Sequence, residues 1–303
     1  MSSSVSNIRI EPCNVYWKQY EQETFDFATA TAAGIGGKYV LIWSADDAVP
    51  YFAWFDENNT DTNPAVAAKT AIEVNFAASA AASAIATAFS TAVDAVAGFQ
   101  TSVSGTVVTV TRTAYGETSD STAGNAGSYC EVTKCQSGKN VDLGLLDGDI
   151  SVSLEENTFE LTVHQSGATP RADLRTGTTA TVALSLKESD NPLRKQMFKH
   201  TAGGTYTPSG GSEVFGWGDV KQGLNTVIDA GRLILHPVAL ASNDYSRDMC
   251  YWLSYPLISA ITFSGENPLM MECEFKCYLD SSKPENINLF MIGDHTQAEF
   301  NPA

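Results

Sequence analysis

The chain has 303 residues and a mass of 32.4 kDa, long enough for two domains or for one large β domain with a substantial core. Its formal net charge of −17 argues against a free-standing nucleic-acid-binding protein, because phosphate recognition depends on Lys and Arg. Charged residues make up only 17% of the chain, below the typical value of about a quarter. Such a composition is expected of a surface partly covered by neighbouring subunits, or of an alanine-rich lineage in general.

The six cysteines are too few for a disulfide framework, and we expect no secretory leader, so reduced thiols are predicted. Cys273 and Cys277 lie four residues apart in a strand-like run, on one side with Phe275 between them. Zinc would need a turn between two ligands and a second pair nearby, so buried free thiols are favoured over a metal site. No apolar run approaches the roughly 18 to 20 residues of a membrane span, and we expect no membrane segment.

Residues 22–140 have the pattern of a self-contained α+β lobe, which we predict to be two helices on one antiparallel sheet. The first helix should begin at Asn63, with Pro64 in the first helical position. The second should be long, with apolar residues at helical spacing. The predicted lobe carries 12 acidic and 5 basic residues, and the remainder carries 23 and 13, so both parts are acidic. The other predicted elements of the lobe are strands at 38–43, 51–55 and 71–76, a helix at 79–97, a hairpin at 103–113 and a strand at 128–134.

Residues 141–303, together with 1–21, have the pattern of an antiparallel β-sandwich or barrel with a short flanking helix. Ile150, Val152 and Leu154 alternate along one predicted strand, and Phe159 and Leu161 continue the alternation along a second. A third strand ends near residue 186, an amphipathic helix follows at 192–200, and a Gly-rich stretch covers 201–217. Further strands are predicted at 232–238, 250–259, 269–280 and 288–292.

Catalytic patterns are weak, and we predict that the protein is not an enzyme and needs no cofactor. The histidines are scattered, with no HxH or HExxH spacing and no nucleophile elbow. Adjacent Glu155 and Glu156 point to opposite faces of a strand, so one glycosidase-like site cannot readily use both. Two acidic loops, at 44–47 and 56–63, offer oxygen ligands for calcium, but their spacing does not fit an EF-hand and solvated turns are favoured.

As a whole, residues 141–188 resemble the core of bacteriophage tail tube proteins. There a strand with a G-x-I-x-V pattern leads to a Q-x-G-x-x-P turn with an Asp after it, and then to a strand that ends L-x-E. The positions that carry the resemblance are Gly148, Ile150, Val152, Glu156, Gln165, Gly167, Pro170, Asp173, Gly177, Leu186 and Glu188. The lobe, with its aromatic strand at 51–55 and Pro64, also resembles a small accessory domain of phage structural proteins, although Asn63 replaces an acidic residue there.

The resemblance implies a structural virion protein that is assembled in the host cytoplasm. Its subunits would form hexameric rings that stack into a hollow tail tube for genome delivery. Its partners would be copies of itself and other tail proteins, such as a tape measure, sheath, terminator or baseplate protein. DNA would pass through without sticking, as an acidic surface favours. Residues 22–140 would then be an inserted, outward-facing domain.

Two sets of site residues are predicted on this basis. Glu155, Glu156 and Glu160 are candidates for the channel lining, although alternation allows only one of Glu155 and Glu156 to face inward. Tyr206, Phe215 and Trp217 are candidate anchors of an inter-ring arm that would be disordered in the monomer. An ordinary surface loop is the alternative for that segment. The alternative for the whole protein is a tail accessory module whose lobe recognises a partner or surface, and a β-sandwich hydrolase or lectin is a third reading.

Overall fold

The computed structural model describes residues 12–144, 146–161, 172–187, 191–199, 203–206, 208–209, 211, 214–217, 225–263 and 270–300. The fold is mainly β with a large antiparallel sheet, as the sequence predicts. The helices are α1 (Ala32–Ile35), α2 (Ala82–Asp94) and α3 (Asn191–Lys199). The strands are β1 (Cys13–Asp26), β2 (Tyr39–Trp43), β3 (Pro50–Glu57), β4 (Thr70–Phe76), β5 (Phe99–Ser104), β6 (Val107–Tyr115), β7 (Glu131–Gln136), β8 (Lys139–Asp142), β9 (Leu146–Leu161), β10 (Ala172–Leu186), β11 (Gly203–Tyr206), β12 (Val214–Trp217), β13 (Gly231–Pro237), β14 (Met249–Thr262), β15 (Met270–Tyr278) and β16 (Phe290–Ile292).

The described residues fall into two compact units. The first unit comprises residues 12–17 and 141–295, and the second comprises 18–140 and 296–300. Each unit has its own cluster of buried apolar side chains. β1 begins in the first unit and ends in the second, and β8, which ends in the first unit, pairs with it.

The first unit is built on antiparallel strands in the order β13–β14–β15–β10–β9, with β16 paired to β14. Every second residue of β15 is buried because strand side chains alternate between faces. Trp17 is fully buried, donates from Nε1 to the carbonyl of Ser254 at 3.1 Å, and packs edge-on against Phe275. Leu193, Met197 and Phe198 of α3 join this core, which agrees with the amphipathic pattern of the predicted helix.

The second unit contains β2, β3 and β4 in a separate three-stranded sheet and a core around Phe25, Phe55 and Phe89. β2 and β3 are antiparallel, but β3 and β4 are parallel, so the prediction of an antiparallel sheet is wrong for this pair. The 12 residues between Glu57 and Thr70 are long enough for a parallel crossover, which needs about a dozen residues.

No helix begins at Asn63, and this prediction is wrong. The Asn63 side chain accepts a hydrogen bond from the backbone of Ala65 at 2.8 Å, which closes a local turn instead of capping a helix. Ala65 has a φ of 49°, in the left-handed region, which a right-handed helix cannot continue. The long helix α2 and the β5–β6 hairpin lie where the sequence places them, and Ile85, Phe89 and Val93 form the buried face of α2.

The two strands predicted around Ile150 and Phe159 are one continuous strand, β9. The residues between them, 155–158, include no Gly or Pro to end a strand. β9 pairs with β10 along its length, so the two form a long hairpin. The Gly/Pro/Arg turn predicted between them lies outside the described residues.

Candidate functional site

The sheet formed by β9, β10, β15 and the C-terminal half of β14 has one face in the core of the first unit. Val182 and Leu184 of β10 and Phe275 of β15 are buried on this face. Directly paired residues of neighbouring strands point to the same face of the sheet. The residues that alternate with Val182, Leu184 and Phe275 along their strands therefore point to the opposite face. On β9, β10 and β15 the residues of that opposite face are mostly exposed.

Small and acidic side chains lie on this opposite face, which we call the acidic face. Its long charged side chains include three carboxylates, Glu155, Glu272 and Glu274, and one ammonium group, Lys276, all exposed. On β14, Tyr255 pairs with Lys276 and Leu257 pairs with Glu274, so these two larger side chains lie on the same face. Between 151 and 153 of β9 and between 179 and 185 of β10 the face carries short side chains, and the carboxylates named above outnumber the ammonium group. The small residues of the acidic face are Ser151, Ser153, Thr179, Thr181, Ala183 and Ser185.

The structure separates the three predicted channel residues. Glu155 lies on the acidic face, whereas Glu156 and Glu160 point to the other side of β9 because they follow the opposite alternation. Glu156 forms an exposed ion pair with Arg175, with 3.4 Å between Oε1 and Nη2. Glu155, Glu156 and Glu160 are all exposed.

Sequence reasoning missed Glu272 and Glu274 on the acidic face. The signal was present, because the prediction that Cys273, Cys277 and Phe275 share the buried side places Glu272 and Glu274 on the exposed side. The buried side is as predicted: Cys273, Phe275 and Cys277 are all buried.

The end of the β9–β10 hairpin extends beyond the core. Residues 155–161 and 172–177, which we call the tip, are exposed on both faces. Phe159 pairs with Leu174 and Leu161 pairs with Ala172, so these apolar residues lie on one side, the same side of β9 as Glu155. The other side of the tip carries Glu156, Glu160 and Asp173.

Both edges of this sheet are open among the described residues. β9 is the last strand in the strand order and pairs there with β10 alone. The pairing of β14 with β13 ends at Ser254, so β14 beyond this residue has β15 on one side only. Unpaired backbone N–H and C=O groups along an edge strand are a template for pairing with another chain.

The predicted inter-ring arm forms a two-stranded hairpin of β11 and β12. Tyr206 pairs with Val214, Phe215 with Thr205, and Trp217 with Gly203. β-branched and aromatic residues favour such strands over an irregular loop, and the disorder of the arm in the monomer stays a prediction.

A network of buried charges lies in the second unit. Glu23 accepts hydrogen bonds from the guanidinium of Arg112 at 2.6 Å and from the backbone of Ser121 at 2.7 Å. Lys134 Nζ lies 2.9 Å from Glu21 and 2.6 Å from Asp120. Burial raises the pKa of Glu21, and the charge of Lys134 opposes that effect.

The carboxylates of this network are close enough to hold a cation, since one oxygen from each of Glu21, Glu23 and Asp120 lies within 4.8 Å of the others. Arg112 and Lys134 already supply positive charge at these oxygens. A divalent ion would have to displace the ammonium group of Lys134, so we interpret the cluster as an internal ion-pair network.

Asp248 joins two histidines that are far apart in the sequence. Its Oδ1 lies 2.7 Å from Nδ1 of His236, and its Oδ2 lies 3.2 Å from Nε2 of His295. All three side chains are buried, and the ring of Tyr245 packs near both imidazoles. The sequence predicted structural histidines but did not indicate that these two meet, because they lie 59 positions apart. The cluster joins the end of β13 to the segments at 248 and 295.

The sequence matches no protein-family model and no curated protein. Among the described residues, no helix has the length and apolar character needed to cross a bilayer.

Proposed function

We propose that this protein is a structural virion protein, the subunit of a bacteriophage tail tube. Its copies assemble into hexameric rings that stack into a hollow tube, and the genome passes through this tube into the host. Its partners are other copies of the chain and other tail proteins. Residues 22–140 form an inserted domain on the outside of the tube, and assembly takes place in the host cytoplasm.

The single observation that carries this proposal is the acidic face on a sheet with two open edges. If the β9 edge of one copy pairs with the β14 edge of the next, the sheet continues from subunit to subunit without an unpaired strand. Repetition of such a head-to-tail contact closes a ring when the rotation per copy divides a full turn. In the closed barrel, the acidic face of each subunit lines the channel, and the apolar core of the first unit lies outside it.

The charge of that inner surface suits the passage of DNA. Glu155, Glu272 and Glu274 repeat in every subunit, so the channel carries a multiplied negative charge that repels phosphates. The short Ser, Thr and Ala side chains leave few long groups to bind bases or backbone. Binding to DNA would require Lys and Arg on this surface, and Lys276 stands there against the three carboxylates Glu155, Glu272 and Glu274.

Negative-stain electron microscopy and mass photometry of the purified protein test this function. Six-fold rings or tubes with a central channel are expected, and their number should rise with protein concentration. A protein that remains a monomer up to concentrations of about 100 μM, well above a weak micromolar association, would count against a tube subunit.

The second candidate function is a tail accessory module that recognises a partner or a surface through the second unit. The observation that favours it is the separate apolar core of that unit. Under this reading the protein does not form rings, and the isolated second unit binds the partner as tightly as the full chain does.

A further inference from the structure

Lys134 lies between two carboxyl groups in the second unit. Its Nζ is 2.6 Å from Oδ1 of Asp120 and 2.9 Å from Oε1 of Glu21. Glu21 is on β1, Lys134 is on β7, and Asp120 belongs to the segment between β6 and β7. An amine, a carboxyl group that it can attack and a second carboxyl group that can carry protons are therefore in mutual contact.

The three side chains differ in their exposure to water. Glu21 is fully buried, Lys134 is 27% exposed and Asp120 is 71% exposed. The buried carboxyl group of Glu21 can exchange a proton with Lys134, and a water molecule released at Asp120 has an open path to solvent. The ion pair of Lys187 and Asp147 has a similar distance of 2.9 Å but lacks this burial, since its side chains are 42% and 41% exposed.

Hydrogen bonds on both sides of Asp120 hold its carboxyl group near Lys134. The backbone N–H groups of Ser119 and Ser121 each donate to a carboxylate at 2.7 Å. A carboxyl C–O bond is about 1.23 Å long, so Nζ of Lys134 lies within about 3.8 Å of Cγ of Asp120. Positioning of this kind replaces a bimolecular encounter, and well-oriented intramolecular reactions reach effective concentrations of about 10⁵ to 10⁸ M.

The free amine needed for attack forms by proton transfer inside the cluster. Burial acts to lower the pKa of Lys134, but the charge of Glu21 and hydrogen bonds to both carboxylates outweigh it and raise that pKa to about 12. Burial raises the pKa of Glu21, against the charge of Lys134. Transfer of one proton from Lys134 to Glu21 makes both groups neutral and removes the charge that kept the amine protonated. We therefore expect a slow reaction that follows folding.

We infer that Lys134 and Asp120 condense to an amide bond within the chain, with Glu21 as the acid-base group. Nζ of Lys134 bonds to Cγ of Asp120, one Cγ–O bond breaks, and the oxygen leaves as water. Glu21 carries the two protons lost by the nitrogen to that oxygen, one at a time, and ends as it began. One ammonium and one carboxylate thus become one amide and one water, without an oxidant or a co-reactant. The bond ties the segment before β7 to β7 itself, and it does not depend on the tube function.

Intact-mass spectrometry of the purified full chain tests the bond. Wild type should be lighter than its sequence by one water molecule, whereas Lys134→Arg and Asp120→Ala should have their full sequence masses. Asp120→Ala changes an exposed side chain, so its fold is not at risk. Glu21→Gln should lower the fraction of linked chains at equal times by at least about tenfold, because an amide cannot carry the protons.

Peptide mapping locates the bond. Trypsin does not cleave after an acylated lysine, so residues 113–139 of wild type should appear as one peptide that lacks one water molecule. The exposed pair of Lys187 and Asp147 is the internal control and should remain unlinked.

Three results would overturn the inference. The first is a wild-type mass equal to that of the sequence after prolonged incubation at neutral pH. The second is a loss of water with normal cleavage after Lys134, because Asp120 would then have cyclised with the backbone of Ser121. The third is a loss of water that persists in Lys134→Arg. A bond that forms equally fast in Glu21→Gln would refute the acid-base role of Glu21.

Discussion

The guanidinium of Arg112 lies 2.6 Å from the carboxylate of Glu23, and neither side chain is more than 1% exposed. Arg112 also donates from Nε to the carbonyl of Trp43 at 3.0 Å. The pair thus links β1 and β6 to the end of β2. A buried ion pair of this kind contributes little net stability as a pair, but the loss of one partner leaves a charge in an apolar environment.

The first prediction concerns this pair. Arg112→Met should lower the free energy of unfolding of the second unit by about 3 to 5 kcal/mol, because Glu23 keeps a buried charge without its partner. The double variant Glu23→Gln with Arg112→Met should be more stable than the single variant. Urea unfolding followed by tryptophan fluorescence measures both. The exposed pair of Arg175 and Glu156 is the control, and Arg175→Met should cost less than about 1 kcal/mol. Equal losses at the two arginines would contradict the prediction.

The exposed and the buried cysteine thiols should react with a disulfide reagent at different rates. Cys135 is exposed, whereas Cys130, Cys250, Cys273 and Cys277 are buried. Burial raises the pKa of Cys130, Cys250 and Cys273 to about 12, so these groups are protonated and unreactive at neutral pH. Titration with a disulfide reagent at pH 8 should label Cys135 at once and the buried thiols only after unfolding in denaturant. Fast labelling of Cys250 in the native protein would show that its surroundings open readily.

The Asp248 cluster predicts a pH dependence of stability. Burial lowers the pKa of His295 below its usual value, against the opposing charge of Asp248; Arg232 acts with burial and Asp294 against it. The unfolded chain therefore binds this proton more readily than the folded chain. The stability from a neutral His295 is present above the unfolded pKa of about 6.5 and is lost as the pH falls below it.

The measurement for this prediction is the melting temperature of wild type and His295→Gln between about pH 8 and about pH 5, on either side of the unfolded pKa. Gln keeps a hydrogen-bond donor for Asp248 but has no proton to gain. Wild type should lose stability relative to the variant as the pH falls. A difference that stays constant over this range would rule out His295 as the titrating group.

The two-unit division predicts that the first unit folds without the second. The backbone of Leu143 donates to the carbonyl of Val15 at 2.9 Å, so the chain ends left by removing residues 18–140 lie close together. A four-residue Gly/Ser bridge in their place, with residues 296–303 also removed, should give a folded protein with a cooperative thermal transition. Circular dichroism and calorimetry report the result. A chain without a transition would mean that the first unit depends on the second.

The acidic face predicts a charge effect on DNA passage. The triple substitution of Glu155, Glu272 and Glu274 by Lys should leave the fold unchanged, because these side chains are exposed. In assembled tails it should slow genome ejection and cause salt-sensitive retention of DNA. Lys at Glu156, Glu160 and Asp173 makes the same change of charge on the other side of the hairpin and is the control. Equal rates of genome ejection for wild type, the triple variant and the control variant would contradict an electrostatic role of the acidic face.

Much of the fold could be predicted from the sequence, because the local patterns are strong. The alternation around Phe275 and the helical spacing of Ile85, Phe89 and Val93 lead directly to a half-buried strand and an amphipathic helix. One failure, the direction of β4, arose where distant residues decide. Nothing local shows that β4 would run parallel to β3, since that depends on the path of the chain between them.

The candidate site was harder to predict than the strands that form it. Glu155 and Glu156 are neighbours with the same chemistry, and only the register of β9 with β10 shows which one shares a face with Glu274. The meeting of His236 and His295 at Asp248 likewise depends on the path of the chain over 59 residues. The periodicity of a sequence predicts which face of a strand is buried, but it does not predict which strands lie beside it.

The hydrogen bond from Trp17 to Ser254 joins residues 237 apart in the sequence. This separation affects the order in which the two units fold during translation. The first unit cannot complete its core until β13, β14 and β15 have been synthesised. The core of the second unit lies between Phe25 and Cys130, so it can form early during translation. We expect the second unit to fold first. Until β15 has been synthesised, the hairpin of β9 and β10 has long unpaired strand edges. During that interval the nascent chain is most exposed to aggregation, and chaperones that cover extended apolar strands would act there.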